Sequence, residues 1–340
     1  MTRYFIRRLA GLIPLFFGIT LISFFVIHLA PGSVVDVQGG LNPKMSAQAR
    51  EKLEKLYELD RPVFVQYVHW TRRLVRFDFG NSFVDGEAVT QKIARAIPVT
   101  LLINFLSLFL ILIMGIPLGI LSAVKEGSFT DKSLSLVSLA GFSIPPFWLA
   151  LILMTFFGVN LRLLPVSGLT SLTFEEMGSW EKFLDVSRHL VLPFLVSSVT
   201  SLAGISRFMR SGMIETLRQN YIRTARAKGL SERRVLYRHA LRNAILPLIT
   251  ILGLSVPGLL GGSVIFESIF SIPGMGRLFF NSVFSRDYPV VMGVLVLGAL
   301  LTLIGNLLAD MAYGFADPRI RYQGLPAGQA GVSGCFERTA

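Results

Sequence analysis

Charged residues and cysteine are both scarce in this chain. Asp, Glu, Lys and Arg make up only 16% of its 340 residues, whereas soluble domains usually carry about 25%. Much of the surface must therefore face something other than water. The single cysteine, Cys335, lies in the C-terminal tail, which excludes an internal disulfide and a cluster of thiolate metal ligands.

The sequence also lacks the motifs that several enzyme classes require. No glycine is followed directly by lysine, so the phosphate-binding loop G-x-x-x-x-G-K-[ST] is excluded, and neither H-E-x-x-H nor G-x-S-x-G occurs. The four histidines are scattered and have no partner at metal-ligand spacing. We predict that the chain is not an enzyme and has no cofactor or metal. A membrane-embedded hydrolase is one alternative; an ion channel is another, disfavoured because the sequence has no filter-like repeat or ring of charges.

Long apolar segments dominate what is present. Apolar residues account for 52% of the chain, and its mean hydropathy is +0.59. Roughly 20 apolar residues of helix cross a hydrocarbon core about 30 Å thick. We predict an all-α membrane protein with six transmembrane helices. The six segments are Leu9–Leu29, Leu101–Ala123, Leu134–Val159, Leu190–Ile205, Asn243–Phe266 and Val290–Ala309.

Two of these segments have alternative interpretations. The first follows Arg3, Arg7 and Arg8, like a secretory signal. Its apolar run of 21 residues exceeds the usual signal core of about 7–15, so we interpret it as a retained helix. Leu190–Ile205 is short and rich in hydroxyl groups, which in membranes more often join helices than bind ligands. A buried re-entrant segment is the alternative for it.

The distribution of positive charge predicts the orientation. The net charge of +12 could indicate a nucleic-acid partner. However, the basic residues lie between or beside long apolar segments, which is the distribution that membrane topology produces, so we expect no nucleic-acid partner. The connection 207–242 holds ten Lys and Arg against two Glu, whereas 160–189 and 267–289 hold few. Short basic connections stay in the cytoplasm. Both termini are therefore predicted to be cytoplasmic and the long first connection external.

These assignments divide the chain into four parts. Residues 1–30 are the cytoplasmic start and the first transmembrane helix, and residues 31–100 are external. Residues 101–321 hold the other five transmembrane helices and the cytoplasmic connection 207–242. The tail 322–340 is rich in Gly and Ala and is predicted to be disordered.

The external segment is predicted to contain amphipathic helices. Asp60-Arg61-Pro62 is a helix-start signal. The apolar residues that follow it at helical spacing, before Gly80-Asn81 ends the run, are Val63, Tyr67, Trp70, Leu74 and Phe77. We predict a small cap packed on the membrane domain; a docking surface for an external partner is the alternative.

The predicted spans contain backbone interruptions but almost no ionisable groups. His28 and Asp310 lie at span ends and Glu267 just past one, so the relays of an ion-coupled transporter are missing and energy must come from elsewhere. Glycine and proline in spans can reflect close packing alone. The alternative is a kinked wall along a polar route, where free carbonyls face water; Asn104 and Asn306 should face that interior too. The predicted lining residues of this translocation pathway are Pro145, Pro146, Ser255, Pro257, Gly261 and Ser263.

The basic cytoplasmic connection contains a shaped element at Tyr221–Ser231. Ala225 and Ala227 favour a short helix. Gly229 can supply the left-handed residue that ends it, and Ser231 can cap the helix that follows. The alternative interpretation is a basic loop that rests on anionic lipid.

Several segments of the chain resemble one transporter family. The stretch YIRTARAKGLSERRVLYRHALRNAILP resembles the cytoplasmic loop motif of binding-protein-dependent ATP-binding-cassette importers, in the branch for dipeptides, oligopeptides and nickel. Further matches are RRLAGLIPLFFGITLISFFVIHLAPG, LDRPVFVQYVHW, FDFGNS, GFSIPPFW, LLPVSG, ESIFSIPGMGRLFFNSVFSRDYPVV and DPRIR. Pro247 follows Gly229 at a longer spacing than in the generic motif, a spacing that the peptide branch shares. The tail 322–340 has no counterpart.

The resemblance implies a permease subunit in the inner (cytoplasmic) membrane that carries short peptides or a similar solute. It also implies a second, similar permease, two cytoplasmic subunits that bind and hydrolyse ATP, and an external substrate-binding protein, besides membrane lipid. In this family the short loop helix couples the permease to the ATPase. By resemblance, the coupling residues are Thr224, Ala225, Ala227 and Gly229.

Overall fold

The computed structural model describes residues 2–29, 35, 47–56 and 58–316, and helices dominate these ranges. The predicted tail and Cys335 lie outside them. Numbered in chain order, the helices are α1 (Thr2–Leu29), α2 (Ala47–Leu56), α3 (Val63–Leu74), α4 (Val89–Val124), α5 (Phe129–Ser143), α6 (Pro146–Leu153), α7 (Ser179–Leu217), α8 (Asn220–Ala227), α9 (Glu232–Arg234), α10 (Leu241–Ala244), α11 (Leu246–Gly261), α12 (Val264–Ile269), α13 (Met275–Phe284) and α14 (Tyr288–Ala316). Two π-helical segments, Met154–Asn160 and Val235–Ala240, and a 3₁₀ turn at Phe174–Glu176 complete the described helical structure.

Within the described ranges, four helical stretches are long and apolar enough to cross a membrane. They are Ala10–Leu29 within α1, Val89–Val124, Ser179–Leu217 and Tyr288–Leu307 within α14. The all-α membrane fold predicted from the sequence is therefore confirmed. The predicted span Leu190–Ile205 lies inside the unbroken helix α7, which disfavours the re-entrant alternative.

The third predicted span is sharply bent. The segment Phe129–Ser143 and the segment Pro146–Asn160 meet at 97°, and together they form one broken span or a re-entrant loop. The bend falls at Ile144, whose ψ is 122°, because the residue before a proline is excluded from the helical region. The interruption that the sequence predicts at Pro145 and Pro146 is thus present.

The fifth predicted span is divided into two pieces. Helix α11 ends at Gly261, and Gly262 adopts φ +68°, which only glycine adopts without strain. Helix α12 then begins after Ser263, whose hydroxyl accepts a hydrogen bond from the amide of Phe266 at 3.4 Å. Since α11 has only 16 residues, it is shorter than an ordinary span. The count of six spans stays a prediction.

Helices α4 and α7 approach each other closely at Gly119. An added Cβ at Gly119 would lie 2.6 Å from both the Cβ of Met209 and the carbonyl oxygen of Ser206. A glycine is required there because the backbones approach so closely. Around this contact, Met209 and Met213 of α7 are fully buried with Ile120 of α4 in one apolar core.

The segment predicted to be external packs on the membrane domain through α3. Tyr67, Trp70 and Leu74 are buried against Phe24 of α1 and Met292 of α14, which supports the predicted cap. The prediction is wrong for Phe77, however. Helix α3 ends at Leu74, and Phe77 adopts φ +58° with 82% of its surface exposed. The helix therefore ends at Leu74, three residues before Phe77, the last residue that fits the apolar spacing.

A buried carboxylate anchors the end of the external segment. Asp287, 1% exposed, accepts hydrogen bonds from the Ser82 hydroxyl at 2.5 Å and from the Phe83 amide at 2.9 Å. Burial raises the pKa of Asp287, and the two hydrogen bonds oppose that effect. This contact joins residues more than 200 positions apart, immediately before α14 begins.

Candidate functional sites

A cavity lies between helices α4, α7, α11 and α12. Its volume is about 530 Å³, within the range of roughly 300–1,000 Å³ found for small-molecule sites. Most of the wall is apolar, with Ile103, Ile251 and Phe266 among its residues. The polar side chains on the wall are Asn104, Ser107, Ser197, Ser201, Ser255, Ser263 and Glu267.

Several of these polar groups join the helices that surround the cavity. The Asn104 amide of α4 donates to the carbonyl oxygens of Leu259 at 2.7 Å and Gly258 at 3.4 Å on α11. The hydroxyls of Ser107 and Ser197 bond to each other across α4 and α7. Asn104 lines the cavity, whereas Asn306 is exposed on α14, and the prediction that both face a polar route stays a prediction. The wall is thus held together by neutral hydrogen bonds, which in a membrane replace lost contacts with water.

Glu267 is a buried acid on this wall. Its side chain is 4% exposed, and its Oε1 accepts a hydrogen bond from the Thr100 hydroxyl at 2.8 Å. Its Oε2 accepts from the backbone amide of Arg277 at 3.0 Å. An added Cβ at Gly274 would lie 2.5 Å from the carboxylate. The carboxylate is therefore held in one orientation by packing and by two donors from α4 and α13.

The predicted pathway residues fall into three groups. Ser255 and Ser263 line the cavity. Pro145 and Pro146 lie at the bend between α5 and α6 and are not among the described residues on this wall. The remaining two, Pro257 and Gly261, are positions of α11 whose surroundings lie outside the described residues. The pathway role of all six stays a prediction.

The short cytoplasmic helix predicted from the sequence is present as α8. Ile222 and Ala225 are buried in the same core as Met213, so they attach α8 to its own chain. Thr224 and Ala227 point the other way and are exposed. Of the four predicted coupling residues, Ala225 therefore faces inward, and the outer face is left to Thr224 and Ala227.

Gly229 ends α8 as the sequence predicts. Its φ is +74°, and its amide donates to the carbonyl oxygen of Arg226 at 2.9 Å. An added Cβ there would meet no heavy atom within 4 Å, so the conformation and not the space favours glycine. Ser231 is the N-cap residue of α9, but its side chain makes no capping hydrogen bond.

Sequence reasoning missed the buried charged groups. It placed Glu267 outside the fifth span, because Gly262 was not recognised as the point where the helix breaks. It also missed the pair of Asp131 and Arg210, whose Nε to Oδ1 distance of 2.7 Å joins α5 to α7. An acid within the apolar run VIFESIF was the available signal for Glu267. Among the described residues, no group of three or more His, Cys, Asp or Glu could hold a metal ion.

Two family models together match most of the chain. Residues 115–322 match the model described as binding-protein-dependent transport system inner membrane component, and residues 1–104 match the model of its N-terminal part. The chain belongs to this family. It is a permease subunit of an ATP-binding-cassette importer and not an enzyme. An importer of this kind includes ATPase and binding-protein partners.

Characterised relatives align over nearly the whole chain. The oligopeptide transport system permease protein AppB of Bacillus subtilis is 44% identical over 323 residues, which cover 95% of this chain and 100% of the relative. The di/tripeptide permease protein DppB of Pseudomonas aeruginosa is 41% identical and the dipeptide permease protein DppB of Escherichia coli K12 is 38% identical, both over 342 residues, with the same coverage.

A solved structure shares the fold. In the inward-facing methionine ABC transporter MetNI, one chain superposes with a TM-score of 0.52 at 19% identity, and the match covers 67% of this chain and 97% of that chain. At this identity the likeness concerns the fold alone.

Proposed function

We propose that this chain carries short peptides, or a solute of similar size, across the inner (cytoplasmic) membrane. The three relatives described above are named for oligopeptide, di/tripeptide and dipeptide transport, and each aligns with 95% of this chain. The substrate enters from an external binding protein, and the permease opens alternately to each side of the membrane.

The cavity between α4, α7, α11 and α12 is the observation that carries this proposal. Its volume of about 530 Å³ accommodates a small peptide. Its largely apolar wall bears hydroxyl and amide groups at intervals, so it offers apolar contacts and uncharged hydrogen-bonding groups to peptide side chains of different kinds. Ser255 and Ser263 contribute hydroxyls to this wall, and in the proposal Pro145, Pro146, Pro257 and Gly261 shape the route beyond it.

The proposed assembly contains four further chains. They are a second, homologous permease subunit, two cytoplasmic ATP-binding subunits and the external binding protein. The exposed face of α8, with Thr224 and Ala227, fits a cleft of one ATP-binding subunit. Gly229 fixes the angle at which that face is presented, and Ala225 holds the helix on its own domain.

Reconstitution tests the proposal. Proteoliposomes that contain this chain, its companion permease and the ATPase subunits are supplied with binding protein outside, ATP inside and a radiolabelled dipeptide. We expect uptake that requires both ATP and the binding protein, and ATP hydrolysis that the loaded binding protein stimulates. The purified chain alone should hydrolyse no ATP, because its sequence has no phosphate-binding loop. Uptake without ATP, or robust hydrolysis by the isolated chain, contradicts the proposal.

A further inference from the structure

Glu267 is the one ionisable side chain among the described residues that line the cavity. All the other lining residues are apolar, glycine, proline, serine or asparagine. In a membrane protein an ionisable group in such a position is costly and usually serves a function. We therefore expect this carboxylate to have a partner of opposite charge.

Two hydrogen-bond donors are directed at the Glu267 carboxylate. The Thr100 hydroxyl oxygen accepts the backbone amide of Met275 at 2.8 Å, so its own proton is free to point at Glu267 Oε1, 2.8 Å away. The Arg277 amide donates to Oε2. Each oxygen of the carboxylate thus accepts one hydrogen bond from the chain itself.

No described basic side chain forms an ion pair with this carboxylate. The nearest candidate in sequence, the Arg277 guanidinium, donates to the Ser271 carbonyl oxygen at 2.5 Å. Two neutral donors occupy about half of the roughly four acceptor positions of a carboxylate. Buried charges in proteins are ordinarily paired with a counter-ion, and the described part of the chain supplies none besides the partial positive charge at the amino-terminal end of α13, where the Arg277 amide lies.

A second feature of the same wall favours a cation. Helix α11 ends at Gly261, and residues of its last turn, Gly258 and Leu259, lie on the cavity wall with Gly262. The carboxyl-terminal end of a helix carries partial negative charge. This end of α11 lies beside the Glu267 carboxylate, because an added Cβ at Gly262 would lie 2.7 Å from Oε1. The Asn104 amide offsets part of its negative charge at the carbonyl oxygens of Gly258 and Leu259.

We propose that Glu267 is the subsite for the α-ammonium group of a peptide substrate. Two of the three N–H donors of the ammonium bond to the free acceptor positions of the carboxylate, and the apolar wall receives the side chains. This inference rests on the proposed function and deepens it, because it specifies which end of the peptide the cavity recognises. It also assigns Thr100 as the residue that positions the carboxylate.

Direct binding tests the subsite without the selectivity of the binding protein. The complex of both permeases and the ATPase subunits is placed in nanodiscs, and a radiolabelled dipeptide is compared with its N-acetyl form by equilibrium dialysis. We expect the wild type to bind the free-amine peptide about tenfold or more tightly, the factor expected for one charge-assisted hydrogen bond. Glu267→Gln should bind both forms equally, Glu267→Asp should keep the preference, and the exposed control Glu126→Gln should behave as wild type.

Each other outcome overturns the inference. A preference for the free amine that survives in Glu267→Gln assigns recognition to other groups. An equal loss for both peptides gives Glu267 a purely structural role. If Glu267→Gln does not assemble, the comparison of the two peptides in the wild type tests the inference, because equal affinities for the free-amine and N-acetyl peptides contradict a subsite for the amine. Uptake of the dipeptide by wild-type proteoliposomes is measured in parallel. If the wild type takes up the dipeptide but the binding results contradict the subsite, the proposed function stands and only the subsite fails. If the wild type takes up no dipeptide, the proposed function itself fails.

Discussion

Replacing Gly229 separates a coupling helix from a basic loop that rests on lipid. The φ of Gly229 is +74°, and a residue with a Cβ costs about 1–2 kcal/mol in this conformation, more when it is β-branched. An added Cβ would meet nothing within 4 Å, so the cost comes from the backbone conformation and not from a clash of the Cβ. A change of one to two kcal/mol shifts an equilibrium between two arrangements by roughly 5- to 30-fold.

The expected consequence is uncoupling without loss of the protein. Gly229→Val should reach normal membrane levels, because the strain falls outside the spans. Substrate-stimulated ATPase activity and transport should both drop by roughly 5- to 30-fold, since α8 no longer sits at its angle. Asparagine tolerates positive φ better than other non-glycine residues, so Gly229→Asn is the matched control and should lose less activity than Gly229→Val.

A variant with less positive charge tests the opposite interpretation. A loop held on anionic lipid would lose about 1 kcal/mol for each basic residue removed, so changing Arg223, Arg226 and Lys228 to Gln would be the more damaging variant. Arg226 is half-exposed and bonds to Glu232 at 2.8 Å, a surface pair worth only about 0.2–1 kcal/mol. If Gly229→Val transports at the wild-type rate while the triple variant is inactive, α8 is not a coupling helix.

Three further predictions follow from topology, from the anchor of the external segment and from helix packing. A reporter that is active only in the cytoplasm should be active when fused in the loop after α8 and silent when fused near Asn81; activity at Asn81 would contradict the predicted orientation. In Asp287→Asn the side-chain NH₂ group faces one of the two donors whose hydrogen bonds the carboxylate accepts. Thermal unfolding in detergent should therefore show that the free energy of unfolding falls by about 1–3 kcal/mol; an unchanged stability would contradict the role of Asp287 as an anchor. Gly119→Ala should lower the free energy of unfolding by about 1–3 kcal/mol, because the added methyl group overpacks the contact between α4 and α7. Gly298→Ala is the control, since an added Cβ there meets nothing within 4 Å, and it should leave the stability unchanged; equal losses in the two variants would contradict a close helix contact as the cause.

Signals that act over a few residues could be predicted from the sequence. The end of α8 at Gly229, the start of α3 after Pro62 and the bend at Pro145 each depend on the backbone preferences of one or two residues. Long apolar runs likewise predict membrane helices, because hydrocarbon thickness sets a minimum length.

Features that depend on distant contacts could not be predicted. The Glu267 carboxylate is placed by Thr100, 167 residues earlier, and the sequence gives no sign of that pairing. Gly262 lies within an apolar run that continues on both sides, so hydropathy alone extends the helix through it. Phe77 fits the helical spacing of α3, but the helix ends at Leu74, which is buried in the core with Phe24 and Met292.

The length of α7 has a mechanical consequence. At a rise of 1.5 Å per residue, its 39 residues span about 58 Å, and α8 begins only three residues after its last one. A rotation of about 10° around the midpoint of a rod of this length displaces each end by about 5 Å. Since Gly119 brings α4 into backbone contact with α7, the two helices should turn as one lever. A displacement of α8 at one end of α7 is therefore expected to move the other end of α7 in the opposite direction.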